Sequence, residues 1–153
     1  MNKIMEVFSL LTKEEILRTF SFEMALDSKN ANNDLWGQRK LMLLDPVVDI
    51  IKENIDLNFS LDDIRQLSNL NTLVTLVFLS EKEEFEIKLN DKIFVIRISK
   101  GLRQVLKNYL NIIPAFDINI FNGNINSYKL KEVSTENHAY LEMALFRSLE
   151  KYE

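Results

Sequence analysis

The sequence predicts a mainly α fold: a compact domain of about six helices, one of them kinked near Pro46, with one β-hairpin around residues 84–98. Three observations predict it. Apolar residues recur at helical spacing through most of the chain, as in Ile16, Leu17, Phe20 and Met24. The period changes to two where Phe85, Ile87 and Leu89 alternate with Glu84, Glu86 and Lys88. Ser, Thr or Asn stands ahead of several apolar runs, where a helix N-cap belongs.

The composition sets the bounds. A chain of 153 residues, 46% hydrophobic and 27% charged, is long enough to bury a core as one soluble domain. Asn is abundant and there are three Gly, so polar caps and turns abound while few residues take positive φ freely. The chain has no Cys, which excludes a disulfide framework and a thiolate zinc site and suits a reducing compartment. No apolar run reaches the roughly 18 residues that a bilayer span needs. The stretch from Met1 to Leu11 is too short and too mixed in charge for a signal peptide. A net charge of −4 argues against a strongly basic nucleic-acid groove but leaves room for a local basic patch.

In chain order, Thr12-Lys13-Glu14-Glu15 reads as a capping box, with Leu11 and Ile16 at staple positions and a helix from 13 to about 25. Asp27 to Asn33 reads as a polar loop. The run Leu35 to Ile51 reads as a helix that Pro46 kinks between Met42 and Asp45, or as two shorter helices. Ser60 opens a short helix with Ile64 and Leu67, and Asn71 caps the next, with Leu73, Val74, Leu76, Val77 and Phe78. The hairpin turns at Asn90-Asp91-Lys92 and must rest on a helical surface, because a lone hairpin is marginal in water. Ser99 caps a helix carrying Leu102, Val105, Leu106, Tyr109 and Leu110, which ends before Pro114. Residues 115–133 read as irregular, with a turn at Asn122-Gly123-Asn124. Ser134 or Thr135 starts a last helix through Leu141, Leu145 and Leu149.

Chemistry is sparse. His138 is the one imidazole. It is either a general base or, with no hydroxyl or carboxylate at a telling spacing, a structural residue near the start of the last helix. The pairs Glu14/Glu15, Asp62/Asp63 and Glu83/Glu84 do not converge, because adjacent helical residues point about 100° apart. Asp62 and Asp63 suit a helix first turn instead. No segment carries a phosphate loop or a dinucleotide glycine fingerprint. Lys100, Arg103 and Lys107 share one helical face, which either meets phosphates or an acidic partner, or is simply solvated. Trp36 and Arg39, three apart, either close the core or dock a neighbouring subunit or domain.

Three phrases carry a family resemblance. The first is Asn33-Asp34-Leu35-Trp36-Gly37-Gln38-Arg39-Lys40, followed by an apolar run with an internal Pro, then Leu57-Asn58-Phe59-Ser60 and Asp63-Ile64-Arg65. The second is Leu106-Lys107-Asn108-Tyr109-Leu110 with Ile113-Pro114-Ala115-Phe116-Asp117. The third is Glu136-Asn137-His138-Ala139-Tyr140-Leu141-Glu142-Met143. Together they resemble the all-α domain of the type IV coupling proteins of bacterial conjugation and secretion. The chain departs from that family at Ala115 and Ala139, where its phrases carry Gly, and in the extra hairpin 84–98.

The resemblance implies that residues 1–153 form a single helical domain cut from a hexameric DNA-translocating ATPase. It implies no chemistry in this domain and no cofactor, with ATP and Mg held by the missing motor. It further implies a receptor role toward relaxase, relaxosome or effector proteins, with weak contact to DNA, beside contact with the rest of the motor. The candidate docking residues are Trp36, Arg39, Lys100, Arg103 and Lys107. Placement would be cytoplasmic, at the inner-membrane face through the parent protein, without insertion by this segment. The competing expectations are a stand-alone helical adaptor or regulator, and a small enzyme built on His138.

Overall fold

A computed structural model describes residues 2–27, 34–78, 84–112, 116–121, 124–130 and 132–152. The chain is mainly helical, as its periodicity predicts. Among the described residues there are seven α-helices: α1 (Lys3–Leu10), α2 (Lys13–Asp27), α3 (Asp34–Glu53), α4 (Leu61–Leu67), α5 (Leu70–Phe78), α6 (Lys100–Ile112) and α7 (Glu132–Glu150). A short 3-10 turn, Ile55–Leu57, separates α3 from α4. Two antiparallel hairpins are inserted on either side of α6, β1 (Glu84–Leu89) with β2 (Lys92–Arg97), and β3 (Phe116–Phe121) with β4 (Asn124–Leu130).

Helix α3 is the axis of the core. In its second half Leu43, Leu44, Val47, Val48, Ile50 and Ile51 are all fully buried. They cover one broad side of the helix, while the half-buried Asp45, Asp49 and Lys52 share the opposite side. It packs against α1, α2, α4, α6 and α7. Pro46 lies inside this one continuous helix, so the two-helix alternative does not hold. The missing N–H costs one backbone bond, and burial of the surrounding apolar side chains outweighs that loss.

Several ends are fixed by side chains, as the caps predict. Thr12 Oγ1 accepts from the Glu15 N–H at 3.2 Å and Glu15 Oε1 accepts from the Thr12 N–H at 3.3 Å, completing the first capping box. Ser60 and Asp63 form a second box at the start of α4. Ser99 Oγ accepts from the Leu102 N–H at 3.1 Å and so caps α6. Lys13 reaches Asp49 at 2.7 Å and also pairs with Asp45, which ties the start of α2 to α3. Burial alone would lower the Lys13 ammonium, but its bonds to Asp45 and Asp49 hold it above the usual lysine range. Burial holds Asp49 above the usual carboxylate range against the pull of Lys13.

Four details differ from the sequence expectations. Helix α1 is not signalled by a long apolar period. Asn2 starts it by accepting from the Met5 N–H at 3.0 Å, and Lys52 Nζ ends it by donating to the carbonyls of Phe8 and Leu11 at 2.8 and 2.6 Å. The cap of α5 is Asn69 rather than Asn71: its carbonyl takes the Leu73 N–H and its side chain takes the Asn71 N–H at 3.0 Å. Helix α7 starts at Glu132, ahead of Ser134 and Thr135. Residues 116–130 form β3 and β4 rather than an irregular stretch. The alternation Phe116, Ile118, Ile120 against Asp117 and Asn119 is a period-two signal. The expected turn at Asn122-Gly123-Asn124 falls partly outside the described residues, and Asn124 already belongs to β4.

The first hairpin forms where it was expected, with Lys92 in β2 rather than in the turn, and is held at both ends. Asn90 and Asp91, with φ of 49° and 65°, form its two-residue turn. Asn and Asp tolerate this left-handed conformation, and two such residues match the strand twist. At the turn, Asn90 Nδ2 donates to Asp63 at 3.1 Å and the Asn90 N–H donates to Gln66 at 2.9 Å. At the open end, the buried Asn54 amide takes the Arg97 N–H at 2.7 Å and donates to the Arg97 carbonyl at 3.0 Å and the Ile50 carbonyl at 2.8 Å. Asn54 thus supplies a strand-like partner from the end of α3. Asn54→Ala strands these groups, at about 2–3 kcal/mol. Urea unfolding should show a lower midpoint for that variant with an unchanged slope.

Candidate functional site

The chemistry-bearing side chains converge where α4, α6 and α7 meet. His138 lies in α7 at 2% exposure. Its Nδ1 is 2.6 Å from the Tyr109 hydroxyl on α6. Its Nε2 is 2.7 Å from the Ser68 carbonyl, at the end of α4, and 3.1 Å from Glu142 Oε1 one turn along α7. A carbonyl and a carboxylate both accept, so Nε2 carries the proton. Nδ1 is then free to accept, and the Tyr109 hydroxyl donates to it. Every polar atom of the imidazole is thereby satisfied. Burial, with the nearby Glu142 charge, pushes the Tyr109 phenol above the usual tyrosine range, which keeps it a donor.

Glu142 links this network to the surface. It lines a cleft of about 330 Å³ between α4 and α7, together with Arg65, Ser68, Met143, Phe146 and Arg147. The Arg65 guanidinium lies 4.6 Å from the centre of the Phe146 ring, a cation–π geometry. Beside the cleft Tyr140 is 64% exposed, and the cleft-lining Met143 is 55% exposed and Arg147 is also exposed. Their i, i+3, i+7 spacing puts them on one stripe of α7.

The expected docking residues are dispersed. Trp36 and Arg39 fall in the first two turns of α3, and their side chains lie outside the described residues. Lys100, Arg103 and Lys107 lie on α6, with Lys100 and Lys107 exposed and Arg103 half-buried. Lys100 lines a second cleft, of about 590 Å³, beside Arg97, Glu53 and Glu84. There the Glu53 carboxylate already accepts from the Ser99 N–H at 3.1 Å and from its hydroxyl. The start of α6 therefore has a built-in anion.

Sequence reasoning missed Arg65, Glu142, Phe146 and Arg147. The i, i+4 spacing of His138 and Glu142 was the available signal for part of it. It also missed that the second and third family-like phrases touch, through Tyr109 and His138. His138 does have a hydroxyl and a carboxylate neighbour beside a cleft, the arrangement a histidine enzyme would need. The imidazole itself, however, is enclosed and bonded at both nitrogens, and of the network its partners Glu142 and Ser68 line the cleft.

No family model, curated protein or solved structure matches the chain. Among the described residues no cluster of His, Asp and Glu has a metal-holding arrangement, and no helix is long and apolar enough to cross a membrane.

The pH response of Tyr109 follows from its raised folded-state value. An unfolded tyrosine loses its proton near 10.0, while the folded one keeps it. The unfolded chain then binds fewer protons, so stability falls as pH rises past about 10, by up to roughly 1.4 kcal/mol per pH unit. Below pH 10 this contribution is fully present. Tyr109→Phe should lose about 1–2 kcal/mol at neutral pH and remove that share of the alkaline slope, read by denaturant unfolding from pH 8 to 11.

Proposed function

We propose that this chain is a non-catalytic protein-binding domain whose partner docks on the α4–α7 face. The observation that carries this is the stripe of Tyr140, Met143 and Arg147 beside the Arg65–Phe146 pair. Tyr, Met and Arg are enriched where proteins bind proteins, and a stiff aromatic loses little entropy on docking. The buried His138 network fixes the stripe from behind. A rigid face loses less order when a partner arrives.

The more specific reading is the substrate-receptor domain of a type IV coupling protein, receiving a relaxase, relaxosome or effector protein at the cytoplasmic mouth of the motor. Three phrases in family order support it, and two of them share the Tyr109–His138 bond. The acidic balance of the chain favours a protein partner over tight DNA binding. A stand-alone adaptor would use the same face.

Capture of purified relaxase or effector by the folded chain tests the specific reading, with a DNA shift at low salt as its companion. Absence of binding to all of them would sink it. Tyr140→Ala and Met143→Ala should each weaken capture by about tenfold or more, roughly 1.4 kcal/mol, with the melting temperature within a degree or two of wild type. An equal loss of stability would instead assign those side chains to the fold.

A further inference from the structure

The free edge of the first hairpin is self-complementary. We propose that β1 pairs with β1 of a second copy of this chain, antiparallel about Ile87, to form a four-stranded sheet across a two-fold axis.

The backbone geometry comes first. In a hairpin with a two-residue turn, the residues flanking the turn exchange both hydrogen bonds, and such pairs alternate along the ladder. Leu89–Lys92, Ile87–Phe94 and Phe85–Ile96 are then the bonded pairs. Glu84, Glu86 and Lys88 accordingly turn their N–H and C=O groups to the other edge. Among the described residues no backbone group pairs with that edge. Helix α4 touches β1 as well as the turn, where Asp63 and Gln66 bond Asn90, so it bounds the edge at its Leu89 end.

The side chains then select the partner. A two-fold axis at Ile87 sets Glu86 opposite Lys88 of the other copy, and Lys88 opposite its Glu86. These are the residues whose backbone groups are free, so each opposed pair exchanges two hydrogen bonds and also matches charge. A register centred on Glu86 would set that carboxylate against itself. Edge charges commonly repel other strands, but an edge guarded against its own copy would carry one sign, and this one sets Lys88 beside Glu84 and Glu86. On the same face, Val95 lies opposite Glu86 and Ile93 opposite Lys88. Ile93 is 70% exposed, and the joined sheet would flank its charged centre with both apolar pairs. The present partner of Lys88 is Asp91, 3.7 Å away with both groups exposed, which holds the lysine only weakly.

Sedimentation velocity of the full chain, up to about 1 mM protein, tests the proposal. Wild type should show a reversible monomer–dimer equilibrium. E86K makes the edge basic at both positions and K88E makes it acidic at both, so each variant alone should be monomeric. Their equimolar mixture should dimerise again. All these side chains are exposed, so circular dichroism should be unchanged. A wild type that is monomeric throughout overturns the proposal. So does a dimer that persists in either single variant, or a mixture that stays monomeric.

Discussion

A buried imidazole must find a partner for each nitrogen, and in this protein the three partners come from different parts of the chain. Tyr109 supplies a hydroxyl from α6, Ser68 a backbone carbonyl from the α4–α5 junction, and Glu142 a carboxylate from the next turn of α7. Satisfying His138 therefore fixes how α7 lies on the rest of the bundle. Loss of the Tyr109 hydroxyl leaves Nδ1 unpaired in a buried site, which is why the arrangement is specific as well as stabilising. The outward stripe of α7 inherits its position from this bond set.

The same device recurs wherever segments distant in sequence must be held together. Asn54 closes the end of β2 onto α3, Asn2 donates to the Phe59 carbonyl at 2.7 Å, and Lys52 covers the end of α1. In each case a side chain completes backbone hydrogen bonding across a gap that regular secondary structure does not bridge. A chain with three glycines turns by other means: among the described residues Asn58, Asn90 and Asp91 take positive φ. The abundance of Asn in the sequence is thereby accounted for at particular sites.

Much of this was legible in advance because local rules govern it. The two capping boxes, the hairpin turn at Asn90-Asp91 and the amphipathic α6 depend on residues within a few positions of one another. Helix α1 was not legible, because its end is secured by Lys52, more than forty residues away. The β3–β4 strands were missed although Phe116, Ile118 and Ile120 alternate, because the partner strand carries an extra residue, Asn126, where the register shifts opposite Asn119/Ile120. Of the candidate site, His138 was placed in the last helix, with a structural and a catalytic role both open. Its partners Tyr109 and Ser68 lie 29 and 70 positions away, and no spacing rule reaches that far. The α4–α7 cleft likewise arises only when Arg65 and Phe146 are brought together by packing.

The proposal of protein binding rather than catalysis rests on His138 being a structural tie with both ring nitrogens already engaged. Long-range nitrogen–proton NMR correlation of the His138 ring, in the full chain without partner, reads this directly. The account predicts an Nε2–H tautomer, an Nδ1 shift typical of a hydrogen-bond acceptor, and slow exchange of the ring proton with water. An Nδ1–H tautomer, or a ring proton in rapid exchange, would mean the imidazole is open and mobile, and the structural role of His138 would be wrong.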